Sequence, residues 1–155
     1  MNGSAPDGMT RRQQTFTRVF DAPRELVWKA WTEPEQLAQW WGPRGIQTPL
    51  ETIEVDLRPG GAFRMTMVSE ADGTEFPTEM EFREVVEPER IVFGWEAQRG
   101  LGAGEVTVTF NDRGGKTEVI AHFDGFTTDE IMADAEIGWN GQLDKLGEWL
   151  AQGQD

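Results

Sequence analysis

A run of glutamates, Glu79, Glu81 and Glu84, and the single histidine, His122, are the side chains in this sequence that first suggest proton chemistry. Neighbouring carboxylates can serve as general acid and general base when their surroundings hold their pKa values apart. Strand alternation tests the idea. Glu79 and Glu81 alternate with Met80 and Phe82, so they take the solvent-facing parity. Glu84 has the parity of Met80 and Phe82, and an inward carboxylate among apolar groups would have its pKa raised by desolvation. Glu84 is therefore the possible inward ionisable group. His122 lies on the parity opposite Val119, Ala121 and Phe123 and is expected on the outer face. One histidine supports no multi-histidine metal site, and no carboxylates with calcium-loop spacing accompany it. No catalytic residue, metal or cofactor is expected.

The second kind of chemistry is apolar recognition. Phe63, Met65, Met67, Met80, Phe82, Phe93, Trp95, Phe110 and Phe123 fall on the apolar parity of their strands, and Trp139 and Leu143 on the apolar stripe of a helix. These residues could fill a core, or they could line a pocket, because methionine adapts its shape and aromatic rings hold flat apolar molecules. Trp40 and Trp41 end a short helix. Adjacent helical residues point roughly 100° apart, so one can be buried while the other gates an opening, or both can wedge against the strand that follows. Gly138 and Gly141 sit inside the last helix, where each costs about 1 kcal/mol relative to alanine. Close packing or room for a ligand beside Trp139 would account for them. Asp56 and Arg58 share the outer face of a strand before Pro59-Gly60-Gly61 and read as a pair that fixes the turn. Neither Gly60-Gly61 nor the Gly100–Gly104 loop precedes a helix, so neither is a nucleotide-binding fingerprint.

The elements that position these residues follow from periodicity. A strand is expected over Gln14–Phe20, then a helix opened by Pro23 with Leu26, Val27, Ala30 and Trp31 at helical spacing. Thr32-Glu33-Pro34-Glu35 announces a second short helix with a threonine cap; Leu37, Trp40 and Trp41 form its apolar side, and Gly42-Pro43 ends it. From Glu51 to Gly125 the pattern has period two, with turns at Pro59-Gly60-Gly61, Ala71-Asp72-Gly73 and Asp112-Arg113-Gly114-Gly115. That predicts about six antiparallel strands with one solvated face. The last element is a long helix with a capping box at Thr127 and Glu130, a staple of Phe126 and Ile131, and a stripe of Met132, Ala135, Trp139, Leu143, Leu146 and Leu150.

Composition narrows the function. Hydrophobic residues make up 37% of the 155, with seven Trp and nine Phe, so aromatic bulk supplies much of the core. Tyrosine is absent, which removes the phenol as an acid or donor. The net charge of −14 argues against nucleic acid and against an anionic membrane surface, because both draw their affinity from Lys and Arg. With no cysteine, disulfides and thiol chemistry are excluded. No apolar run approaches the roughly 20 residues of a membrane span. Residues 1–12 are polar, lack the apolar middle of a signal peptide and are expected to be a disordered tail, leaving 13–152 as one domain in the cytoplasm.

Several words in this order carry a resemblance: Phe20-Asp21-Ala22-Pro23, Val27-Trp28-Lys29-Ala30-Trp31-Thr32, Trp40-Trp41-Gly42-Pro43, Asp56-Leu57-Arg58-Pro59-Gly60-Gly61, Gly138-Trp139 and Leu143-Asp144-Lys145-Leu146. From about Thr15 to about Leu150 the chain resembles the START-like (birch-pollen-allergen-like, SRPBCC) superfamily. More narrowly it is similar to the family named for the activator of heat shock protein 90 ATPase. The resemblance implies an α+β helix-grip fold, a curved antiparallel sheet in β-α-α-β6-α order wrapped round a long C-terminal helix, with a cavity between them. In this family a histidine can occur near the strand of His122, but here Phe123 takes the inward place.

Three functions are compatible with that fold. The first is a non-catalytic carrier of a small hydrophobic or aromatic molecule, with Trp40, Phe63, Met65, Met67, Met80, Phe82, Phe93, Trp95, Phe110, Phe123, Trp139 and Leu143 as candidate lining. The second is a cyclase- or hydratase-type enzyme using the same cavity, with Glu84 as its ionisable group. The third is a co-chaperone-like module that meets a protein partner through an exposed apolar patch.

Overall fold

The structure, a computed structural model, describes residues 9–97 and 102–152. Residues 1–8 of the expected tail, and Gly100 and Leu101 of the glycine-rich loop, lie outside the described residues. The first strand, β1, runs from Thr10 to Phe20 and so begins inside the segment expected as tail. Its pairing explains the extra length: Thr10 opposes Thr127, Arg11 opposes Phe126 and Arg12 opposes Gly125 on the last strand.

Two short helices follow, α1 (Arg24–Thr32) and α2 (Pro34–Trp40). Pro23 precedes α1, and its carbonyl accepts from the N–H of Leu26 and of Val27. Pro34 occupies the start of α2, where the lost N–H leaves no helical bond unmade. The expected threonine cap does not form. Thr32 still belongs to α1, and its hydroxyl donates back to the Trp28 carbonyl at 2.9 Å.

The remaining strands are β2 (Ile46–Gln47), β3 (Glu54–Val55), β4 (Ala62–Ser69), β5 (Glu75–Val86), β6 (Arg90–Trp95), β7 (Gly104–Asp112) and β8 (Thr117–Thr127). They join β1 in one antiparallel sheet ordered β1-β8-β7-β6-β5-β4-β2, with β3 also on β4. The long segment around Ile53–Leu57 contributes only the two residues of β3 to the ladder. It turns away at the Asp56–Arg58 ion pair (2.9 Å) into the Gly60-Gly61 corner. A Cβ on Gly61 would stand 1.9 Å from the Asp56 carbonyl oxygen, so only glycine closes this corner.

The final helix, α3, spans Asp129–Ala151. Its N-cap is Thr128, one residue later than expected, and the Thr128 hydroxyl accepts from the Ile131 N–H at 3.1 Å. Thr127 is instead a buried strand residue. Arg12 ties this end of α3 to β1, donating to the Thr127 carbonyl and pairing with Asp129. The architecture is the α+β helix-grip: a curved sheet closed by two short helices and α3.

The core lies between the helices and the concave face of the sheet. Trp28 and Trp31 of α1 meet Phe110 of β7 edge-on at 5.4 and 6.1 Å. Phe63 stacks on Phe82 at 4.9 Å and meets Phe93 edge-on at 5.1 Å. Such fully buried rings each hold about 3–5 kcal/mol against truncation to alanine. The core is uneven along α3. Leu143, Leu146 and Leu150 are buried, whereas Met132 and Ala135 are only half-buried and Ile137 is 74% exposed.

Candidate functional site

The uneven burial of α3 marks a cleft. Its N-terminal half, Ile131 to Gln142, roofs a space of about 660 Å³ over the sheet. The floor is Met80 of β5, Phe93 and Trp95 of β6 and Val106 of β7, each on the inward parity of its strand. Met67, Phe76 and Pro77 from the β4–β5 hairpin form one side, and Trp41 and Pro43 form the inner wall. Ile131, Asp134, Ala135, Gly138, Trp139 and Gln142 come from α3 at three- and four-residue steps.

Of the residues expected to line a cavity, Met67, Met80, Phe93, Trp95 and Trp139 border this cleft. Phe63, Met65, Phe82, Phe110 and Leu143 are in the close-packed core beyond it. Phe123 stacks behind Trp95 at 6.1 Å and supports it without bordering the cleft. Trp40 is fully buried, and its indole Nε1 donates to the Ala30 carbonyl at 2.9 Å, locking α2 on α1. Its neighbour Trp41, the C-cap of α2 with extended backbone, is also buried and borders the cleft.

Trp139 is the centre of the aromatic wall. It stacks on Trp31 at 6.3 Å, lies beside Phe16 of β1 at 6.0 Å and meets Trp41 edge-on at 6.0 Å. Sequence periodicity identified this residue. It offered Trp40 and Trp41 as alternatives for a gate and placed Ile131 only in a staple, and it did not identify Phe76, Pro77 or Gln142. The only signal for Gln142 is its position three residues after Trp139 on the same helical stripe.

Glu84 is not an inward group. The register of β5 against β6 shifts between Phe82 and Glu84, and this irregularity breaks the alternation on which the inward expectation rested. The Glu84 carboxylate is half-exposed and accepts two hydrogen bonds from Arg90, at 3.1 and 2.6 Å. Those bonds hold its pKa below the ordinary glutamate value, the reverse of the expected shift. His122 is on the outer side of the sheet, 2.7 Å from the Thr15 hydroxyl. The ionisable residues bordering the cleft are Glu79 and Asp134, both exposed. Among the described residues, no three His, Cys, Asp or Glu side chains gather as a metal cage would require.

The loop after α2 sets the height of α3 above the floor. Gly42, at φ +99°, reverses the chain where a side chain would be strained. Its N–H donates to Gln142 Oε1 at 3.0 Å. Lys145 Nζ donates to the Gly42 and Ile46 carbonyls at 3.0 and 3.2 Å, and burial pushes its pKa below the ordinary lysine value. Arg44 pairs with Glu148 at 2.5 Å on the outside of the same junction. Gly138 and Gly141 face this loop and not the sheet. A Cβ on Gly138 would lie 3.7 Å from Pro43, and one on Gly141 would lie 3.3 Å from Arg44.

Residues 21–151 match the model of the family described as "Activator of Hsp90 ATPase homolog 1-like protein". The chain belongs to that family. The match to the Hsp90-activator-homologue-like family runs from the segment before α1 to the end of α3, so every residue of the cleft falls within it. Solved structures agree on the fold. A protein from Nitrosomonas europaea is 26% identical with a TM-score of 0.78, over 90% of this chain and 94% of that one. One from Chromobacterium violaceum is 27% identical with a TM-score of 0.79, over 88% and 94%. An AHSA1 protein from Silicibacter pomeroyi is 23% identical with a TM-score of 0.78, over 92% and 100%. No curated protein matches the chain. No helix among the described residues is long and apolar enough to cross a membrane.

Proposed function

We propose that this protein binds and carries a small apolar or aromatic molecule in the cleft between its sheet and α3. The observation that supports this is the cleft of about 660 Å³ left beneath the open half of α3, walled by Trp41 and Trp139 and floored by Met80, Phe93, Trp95 and Val106. Small-molecule sites commonly occupy roughly 300–1,000 Å³ and are lined in this way. Binding would be driven by apolar burial, at about 25 cal/mol per Å² removed from water. Met67 and Met80 can adjust to the outline of the guest.

The cyclase- or hydratase-type reading rests on Glu84, whose carboxylate is paired with Arg90 outside the cleft, and no other observation favours it. A co-chaperone-like surface would expose a contiguous apolar patch. Among the described residues, the large apolar side chains most exposed are Val19 on β1, Leu50 in the turn between β2 and β3, Phe76 on β5 and Ile137 on α3, and Phe76 belongs to the cleft.

Native mass spectrometry of gently purified protein, followed by tryptophan-fluorescence titration with apolar aromatic compounds, tests the carrier reading. A co-purifying small molecule that also perturbs tryptophan emission is the expected result. Absence of any bound mass, together with emission that no compound changes, would overturn it.

A further inference from the structure

We infer that Trp95 is a specificity-determining surface of this cleft and selects a planar aromatic ring system over a saturated one of the same outline; this rests on reading the cleft as a ligand site. Of the four floor residues, Met80, Phe93 and Val106 are buried, whereas Trp95 is half-buried. Trp95 thus borders the cleft and keeps more of its surface open than its floor neighbours do.

Three neighbours hold the indole in one place. Its Nε1 donates to the Gly102 carbonyl at 2.9 Å. Phe123 of β8 lies within 19° of parallel to it, with centroids 6.1 Å apart. Gly104 of β7 stands opposite Trp95 in the ladder, and both rings rest against it. A Cβ there would be 2.6 Å from Trp95 Cζ2 and 2.9 Å from Phe123 Cε1. Gly104 is therefore a positioning residue: having no side chain, it lets the two rings settle onto backbone. A methyl group at this place must displace the indole, because a ring has no flexible end that could fold aside.

Two consequences bear on the guest. The bond to Gly102 commits the indole nitrogen, so Trp95 offers carbon surface and no free donor. A ring fixed by three neighbours also cannot reshape itself to a branched or puckered outline, as Met67 and Met80 can. A rigid flat surface suits a flat guest, and aromatic pairs are stabilised beyond the area they bury. The guest's aryl group belongs at Trp95, and its less regular part falls against Met67 and Met80.

The test compares naphthalen-2-ylmethanol with decahydronaphthalen-2-ylmethanol, which share a skeleton and a hydroxyl and differ in aromaticity. Dissociation constants are measured by calorimetry for the wild-type protein, Gly104→Ala and Trp95→Leu. The first variant keeps the indole and disturbs its seat; the second keeps the seat and removes the indole. The ratio of aromatic to saturated affinity should fall about fivefold in both, the gain expected of one aromatic pair. General damage to the fold would weaken both probes alike and leave that ratio unmoved. In the wild-type protein, the ring resonances of Trp95 should move further with the aromatic probe than with the saturated one, a readout independent of how either variant folds. An unchanged ratio in Trp95→Leu would overturn the assignment of Trp95 while the carrier reading stands. If neither probe binds the wild-type protein, both fall together.

Discussion

Phe16 on β1 and Trp139 on α3 stack with centroids 6.0 Å apart and planes 22° from parallel, joining the first strand of the chain to the roof of the cleft. The same indole packs on Trp31 and borders the cleft. Trp139→Ala should lower unfolding free energy by about 2–4 kcal/mol, somewhat less than for a fully buried tryptophan, because Trp139 is only half-buried. Chemical denaturation checks that. The variant should also weaken aromatic guests more than branched aliphatic ones of similar size, measured by calorimetry.

The environment of Glu84 makes a signed prediction. Because Arg90 stabilises the charged form, the Glu84 carboxyl should titrate below the ordinary glutamate value of about 4.3. Carbon-detected NMR of the side chain reads this directly. A value above 4.3 would mean the carboxylate faces the interior. Glu84→Gln should leave binding of apolar aromatic compounds unchanged.

Three glycines separate space from backbone conformation. Gly138 has only ordinary contacts to Pro43 waiting for a methyl group, so Gly138→Ala should stabilise α3 by about 0.5–1 kcal/mol. Gly141→Ala meets Arg44 more tightly and should yield less of that gain. Gly61→Ala places a methyl against the Asp56 carbonyl oxygen and should destabilise by about 3 kcal/mol or more. Thermal unfolding of the three variants should rank them in that order.

Acid should loosen the β1–β8 edge only once the pH falls below the ordinary aspartate range. Asp124 accepts from Arg11 at 2.8 and 2.6 Å, and these bonds hold its pKa below the usual aspartate value. A depressed carboxyl pKa contributes stability that is present above the unfolded value, about 3.9, and is lost as pH falls through the lower folded value. Asp124→Asn should therefore be less stable than wild type at neutral pH. The two unfolding curves should converge as pH falls through that lowered folded value, where the wild-type carboxylate is also protonated.

The strands that carry the floor of the cleft were legible because each has one wet and one dry face. Met80, Phe82, Phe93, Val106, Val108 and Phe110 all keep the parity their spacing predicts. Glu84 did not, because a register shift two residues earlier turns the strand, and nothing in the residue types at Arg83 or Glu84 announces it. Trp40 and Trp41 were recognisable as a pair, but which one faces the cleft depends on how α2 docks on α1, a tertiary fact. Thr127 and Thr128 are both good caps by type; the pairing of Thr127 with Thr10 keeps it in the sheet and passes the cap to Thr128. Gln142 was hidden for a different reason. A glutamine on an apolar stripe gives no warning that its oxygen is committed to Gly42 and its nitrogen to nothing.

Burial along α3 rises from Ile131 to Leu150, so the helix is built like a beam clamped at one end. The clamp is the set of bonds from Gln142, Lys145 and Glu148 to the Gly42–Ile46 loop. The free end projects over the cleft, held at its tip by Thr128 and by the Arg12–Asp129 pair. Lifting that tip would widen the opening without unpacking Leu143, Leu146 or Leu150. Opening at that tip would then be limited by the bonds at residues 128–131 and by the stack of Trp139 on Phe16 and Trp31, and the far end of the same helix would stay packed.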